Sequence, residues 1–215
     1  MNRFVLLASL IFTLAPAAYG ATAWDESVNG DLSNNYLAPT PLSFVLGSNH
    51  VIGTTGRSPS TNLIDYDIFT FTVSPGSVLS GVVVTSVNIT SAFSFFGLTT
   101  GSTLAVNPDT VNATMNPTGL LGWTHYTNGD VGKDILPRIG TGPGAIGFVP
   151  PLGAGPYSVW LQETSTLPTA YDFDFQISAA AAIPEPETYA LLFAGFALLG
   201  FAAWRRENPP ARFAA

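Results

Sequence analysis

The side chains able to do chemistry in this chain are few. Two histidines, His50 and His125, stand with no cysteine, and 14 carboxylates face 7 lysines and arginines. A zinc centre needs three or four His, Cys or carboxylate ligands, and no HExxH-type spacing occurs. The GxSxG elbow of a serine hydrolase is missing as well. The glycine-rich run 140–147, "GTGPGAIG", lacks the lysine and following helix of a phosphate loop. Each histidine is expected at a strand end with local partners. No catalytic residue is assigned, and the chain is read as a non-enzyme.

Two weaker constellations remain. The acidic residues gather in two stretches, Asp25, Glu26 and Asp31, then Asp65 and Asp67. Carboxylates with backbone oxygens suit calcium, which takes six to eight oxygen ligands, so Asp65 and Asp67 are the candidate calcium ligands. A solvated strand end explains the same pair. Trp123, Tyr126 and Trp160 could present flat rings to the C–H faces of sugars. Trp160 is out of phase with Val159 and Leu161, which places it on the expected outer side of its strand. Packing beneath a loop accounts for it equally well.

The elements that must carry these residues read as strands. In "DYDIFTFTV", Phe69, Phe71 and Val73 share one face. In "YDFDFQI", Tyr171, Phe173, Phe175 and Ile177 alternate with Asp172, Asp174 and Gln176, the pattern of a half-buried strand. "YSVWLQE", "VLSGVVVTSVNIT" and "AFSFFGL" supply further strands, and "LSFVLGSNHVIG" suggests a hairpin around Gly47, Ser48 and Asn49. The Gly- and Pro-rich run 137–156 reads as a long loop broken by a brief strand at 145–149. About eight strands without an amphipathic helix favour an all-β ectodomain, a β-sandwich or jelly roll. A charged fraction of 10% suits that class, and a net charge of −7 with Lys133 as the single lysine argues against nucleic-acid binding.

The two ends read as targeting segments. Arg3, an apolar run over 4–14 and small residues before Trp24 form the three parts of a secretory signal, over 1–23, with cleavage after Gly20 or Ala23. Residues 24–178 are then the ectodomain, and 179–187 a linker. Residues 188–204 carry no charge and are expected as a transmembrane helix, followed by a basic cytoplasmic tail over 205–215. That helix rises only about 26 Å, just short of a hydrocarbon core of about 30 Å. An exported N-terminus and Arg205 and Arg206 held inside require the same topology.

Pro184, Glu185 and Pro186, the apolar run and the arginine pair, in that order, resemble the PEP-CTERM sorting signal of Gram-negative bacteria. The resemblance implies recognition by exosortase, a membrane-embedded cysteine protease. It also implies passage through the inner membrane and arrival at the cell surface or the extracellular polysaccharide matrix. The stretch 207–215 beyond the arginines is longer than that pattern's usual ending. The strand patterns of 26–178 are similar to the FxDxF group of PEP-CTERM proteins, and distantly to bacterial pre-peptidase C-terminal domains. Asp65 stands where the first Phe of that motif would be. These readings give an exported structural or adhesive protein associated with exopolysaccharide and biofilm. The alternative is a carbohydrate-binding module using surface aromatics, assisted by calcium.

Overall fold

The computed structural model describes residues 20–89, 94–110, 117–181 and 186–207. The chain forms two units, 1–180 and 181–215. The expected signal segment 1–19 and Pro184 and Glu185 lie outside the described residues.

The first unit is all-β, in keeping with its content of Val, Thr and Phe. Its strands are β1 (Ala21–Asp25), β2 (Thr40–Pro41), β3 (Gly47–Arg57), β4 (Ile64–Val73), β5 (Ser77–Val87), β6 (Ser94–Thr100), β7 (Gly122–Tyr126), β8 (Gly155–Gln162) and β9 (Thr169–Ala179). Short helical turns α1 (Glu26–Asn29) and α2 (Leu136–Ile139) interrupt them. The strands join in one sheet ordered β5-β9-β3-β4-β8-β6-β7, with β1 parallel to β3 and β2 parallel to β4. The other pairings are antiparallel. β3 and β4 meet through only two register pairs, Gly56 with Asp65 and Arg57 with Ile64. This narrow seam is where the sheet curls.

Curling lets the two halves of the sheet bury one face against each other. Phe173 and Phe175 of β9 meet Phe96 and Phe69 edge to face, with ring centroids 5.4 and 5.6 Å apart. Tyr126 packs on Phe173 at 5.0 Å. The alternation read in β9 is thus correct for Tyr171, Phe173, Phe175 and Ile177, all of which are buried.

Three local expectations are corrected. Gly47–Arg57 is a single strand rather than a hairpin: Gly47 adopts φ +101° at its start and the chain runs on extended along β9. Residues 145–149 form no strand, although Ile146 and Gly147 donate to the carbonyls of Leu120 and Leu121. The outer face of β4 and β8 is covered instead of solvated. Leu104 and Leu120, with Val106 and Ala145 at its margin, lie over Ile68, Phe95, Trp123 and Trp160 as a second apolar cluster.

In the second unit, α3 (Pro186–Glu207) is a 22-residue helix ending on Arg205 and Arg206. Leu191, Leu192, Phe193, Phe196, Leu198, Leu199, Phe201 and Trp204 are all exposed. Among the described residues, no helix is long and apolar enough to cross a membrane, which corrects the transmembrane helix expected over 188–204. The charge-free stretch of 17 residues falls short of the roughly 20 that a full span takes.

The curl predicts where stability resides. Phe173→Ala removes a ring shared by both halves and should lower the unfolding free energy by about 3–5 kcal/mol. Urea denaturation followed by tryptophan fluorescence measures it, and a loss below about 1 kcal/mol would mean the halves do not depend on this contact.

Candidate functional site

The acidic residues converge at the seam. β1 ends at Asp25, whose carboxylate caps α1 by accepting from the Ser27 amide at 2.9 Å. One helical turn later Gly30, at φ +87°, reverses the chain in a conformation that glycine adopts readily. Trp24 Nε1 donates to its carbonyl at 3.0 Å and holds the reversal. Asp31 follows, and the next residues are pinned to β4 because the Ile68 amide donates to the Ser33 carbonyl at 3.0 Å. The parallel pairing of β1 with β3 therefore delivers Glu26 and Asp31 to Asp67 on β4.

Carboxylate oxygens of Glu26, Asp31 and Asp67 lie within 4.8 Å of one another. Glu26 is held from both sides: Oε1 accepts from the Leu32 amide at 3.2 Å and Oε2 from the Thr54 amide at 2.8 Å. Asp67 is 0% exposed. Its Oδ2 accepts the Tyr171 hydroxyl at 2.7 Å, whereas Oδ1 is buried with no N–H or hydroxyl donor, and the carboxyl lies within hydrogen-bond reach of Glu26. Gly53 makes room for this arrangement. A methyl group there would lie 2.7 Å from Glu26 Cδ and nearer still to the Tyr171 hydroxyl.

No basic side chain forms an ion pair with these three carboxylates among the described residues; the pairs present are His50 with Asp172 and Arg138 with Asp130. Burial, and next the Glu26 charge, push the Asp67 carboxyl well above the usual carboxylate range. Burial raises Glu26 as well, against the pull of its two backbone donors. An open cleft of about 690 Å³ adjoins the cluster, lined by Asp31, Asn34, Arg57, Asp65, Tyr66 and Asp109 among others. Asp65 stands in this cleft, accepting from Asn34 Nδ2 at 3.3 Å. Burial and the Asp31 charge hold it up at about 6.

The expected sites divide sharply against this geometry. Asp67 belongs to the cluster and Asp65 lies beside it. Glu26 and Asp31, noted in sequence only as an acidic stretch, are the partners that sequence did not join to Asp67. The sugar platform is corrected: Trp160 and Tyr126 are 0% exposed and Trp123 6%. Trp160 packs tilted against Phe95 and edge-on to Tyr66, and Trp123 Nε1 donates to the Pro143 carbonyl at 2.9 Å. Trp123 and Trp160 belong to the outer cluster beneath Leu104 and Leu120 and Tyr126 to the core between the halves, so none offers a face to a soluble ligand. His50 lies within β3 rather than at a strand end and bonds Asp172 of β9 at 2.8 Å, while His125, near the end of β7, bonds the Ser94 carbonyl of β6 at 3.3 Å. Arg205 and Arg206 are exposed on the last turn of α3, and Pro186 opens that helix.

Comparison with known proteins bears on the C-terminal segment. The PEP-CTERM protein-sorting motif matches residues 182–206, so the chain carries that signal. No curated protein and no solved structure matches the chain.

The cleft carries a pH dependence. With a folded value of about 6 against an unfolded value of about 3.9, Asp65 binds its proton more tightly in the folded state. Its contribution to stability is full below about pH 4 and is lost as pH rises through about 6. In chelator, the melting temperature should fall between pH 5 and pH 7, and Asp65→Asn should make that fall smaller. An unchanged slope in the variant would contradict the assignment.

Proposed function

We propose that this chain is an exported, non-enzymatic protein of the cell surface or extracellular matrix, delivered by exosortase. The observation that carries the reading is the sorting motif over 182–206, which implies an exosortase-targeted, secreted product. α3 supports it: its apolar side chains are exposed all round, as in helices that sit among lipid or protein, and its last turn bears Arg205 and Arg206. In this reading the C-terminal segment holds the chain at the inner membrane during sorting, and the tail is then removed. The curled β unit is the cargo, with a structural or adhesive role in exopolysaccharide. The carbohydrate-binding alternative loses its proposed residues, because Trp123, Tyr126 and Trp160 are buried.

The test is expression of the full chain in an exosortase-containing Gram-negative host and in the same host with the exosortase deleted. A shortened form in the extracellular polysaccharide fraction is expected only in the first. Equal amounts of unprocessed chain in both hosts would contradict the proposal. At the other end, cleavage after Gly20 leaves β1 whole, whereas cleavage after Ala23 removes the three residues that begin its pairing with β3. N-terminal sequencing of the exported protein should therefore begin at Ala21; a start at Trp24 would show that β1 is not retained as described.

A further inference from the structure

We propose that Glu26, Asp31 and Asp67 form a calcium-class divalent cation site that fastens the N-terminal segment to the seam of the sheet. Two independent observations meet there. The first is the geometry: Ca²⁺ takes oxygen ligands at about 2.3–2.6 Å, so two ligands across one ion stand about 4.6–5.2 Å apart. Oxygens of all three residues, within 4.8 Å of one another, fit around a single ion. The second is the orphaned atom. Asp67 is wholly buried, its Oδ2 is spent on Tyr171, and Oδ1 meets no N–H or hydroxyl donor, while the carboxyl lies within hydrogen-bond reach of Glu26, so that only a proton or a cation can reconcile the two. A buried carboxylate oxygen left unsatisfied is costly, and three clustered carboxylates without a basic partner leave charge to be neutralised.

The surroundings favour a bound ion over a shared proton. A proton between Glu26 and Asp67 would answer for one charge of the cluster and leave the Asp31 carboxylate beside them uncompensated. Glu26 is positioned by backbone amides and Asp67 by a hydroxyl, so these ligands are oriented before anything binds. Asp31 is exposed at the mouth of the cleft, which provides the route of entry and room for water ligands. Mg²⁺, at about 2.0–2.1 Å and reluctant to shed water, fits a mixed, partly buried carboxylate set less well than Ca²⁺ does. The site is the seam of the sheet itself: Glu26 follows β1, Asp67 is in β4, and the Tyr171 hydroxyl comes from β9. An ion here would tie the segment that follows β1 to both halves of the curl. This inference stands independently of the sorting route.

The experiment uses the purified full chain, with melting temperature and calorimetric titration measured in EDTA, CaCl₂ and MgCl₂. Saturating Ca²⁺, at about a hundredfold excess over its dissociation constant, should raise the melting temperature by roughly 5–10 °C. Mg²⁺ at the same concentration should give less than half that shift. Asp31→Asn, an exposed change that leaves Asp67 and Tyr171 in place, should fold normally and lose at least tenfold in Ca²⁺ affinity. Asp67→Asn should abolish the Ca²⁺ shift, and if that variant fails to fold, Asp31→Asn alone decides. Absence of a Ca²⁺ shift in the unsubstituted chain, or an Asp31→Asn variant that binds Ca²⁺ undiminished, would overturn the site. Equal shifts with Mg²⁺ and Ca²⁺ would overturn its assignment to calcium.

Discussion

A carboxylate from one half of the curled sheet sits buried against a tyrosine from the other. Asp67 projects from β4 and Tyr171 from β9, and their 2.7 Å hydrogen bond crosses the space that the curl encloses. The backbone joins the halves at β3 and β4 through only two register pairs, so side chains must hold the fold closed beyond them. Most of that closure is apolar, carried by Phe69, Phe96, Phe173 and Phe175. At the Asp67 end it is polar, and there a buried carboxyl has to be neutralised, by a proton or by a cation. Removing one partner of such a buried pair costs more than the pair itself contributes, because the remaining group stays desolvated.

The N-terminal segment is shaped by that need. β1 lies on the free edge of β3, where an unpaired strand would otherwise expose its amides and carbonyls. Its register carries α1 and Gly30 to the point where Glu26 closes over Thr54 and Leu32 and where Asp31 reaches the cleft. Gly53 leaves the space this requires. Strand order, a left-handed glycine and a glycine without room for a methyl thus serve one local arrangement of carboxylates. At the C-terminus the logic is reversed: the apolar side chains of α3 are exposed, and the segment carries the sorting motif. Cargo and address are separate problems in physical chemistry, and the chain solves them with separate units.

Much of this was legible in the residues. Alternation in 171–177 identifies a strand with one buried face, because a period of two admits no other regular structure. The sorting motif is local, and its three parts in fixed order were readable without tertiary information. What was hidden depended on contacts between distant segments. Trp160 looked solvent-facing because its phase opposes Val159 and Leu161; the second apolar layer from Leu104 and Leu120 buries it from the other side. The same layer covers Ile68, which alternation alone would leave outside. The union of Glu26 and Asp31 with Asp67 rests on the parallel pairing of β1 with β3, across a separation that no periodicity records. Asp65 looked equivalent to Asp67 by phase, yet the seam begins at Asp65 and leaves it in the cleft.

The central claim is that the closed sheet holds a cation where its halves meet. Anomalous diffraction from crystals grown with Ca²⁺, or soaked with Tb³⁺ as its heavier mimic, tests it most directly. A single peak about 2.3–2.6 Å from an oxygen of each of Glu26, Asp31 and Asp67 is the predicted result. A map with no peak at that position would contradict it.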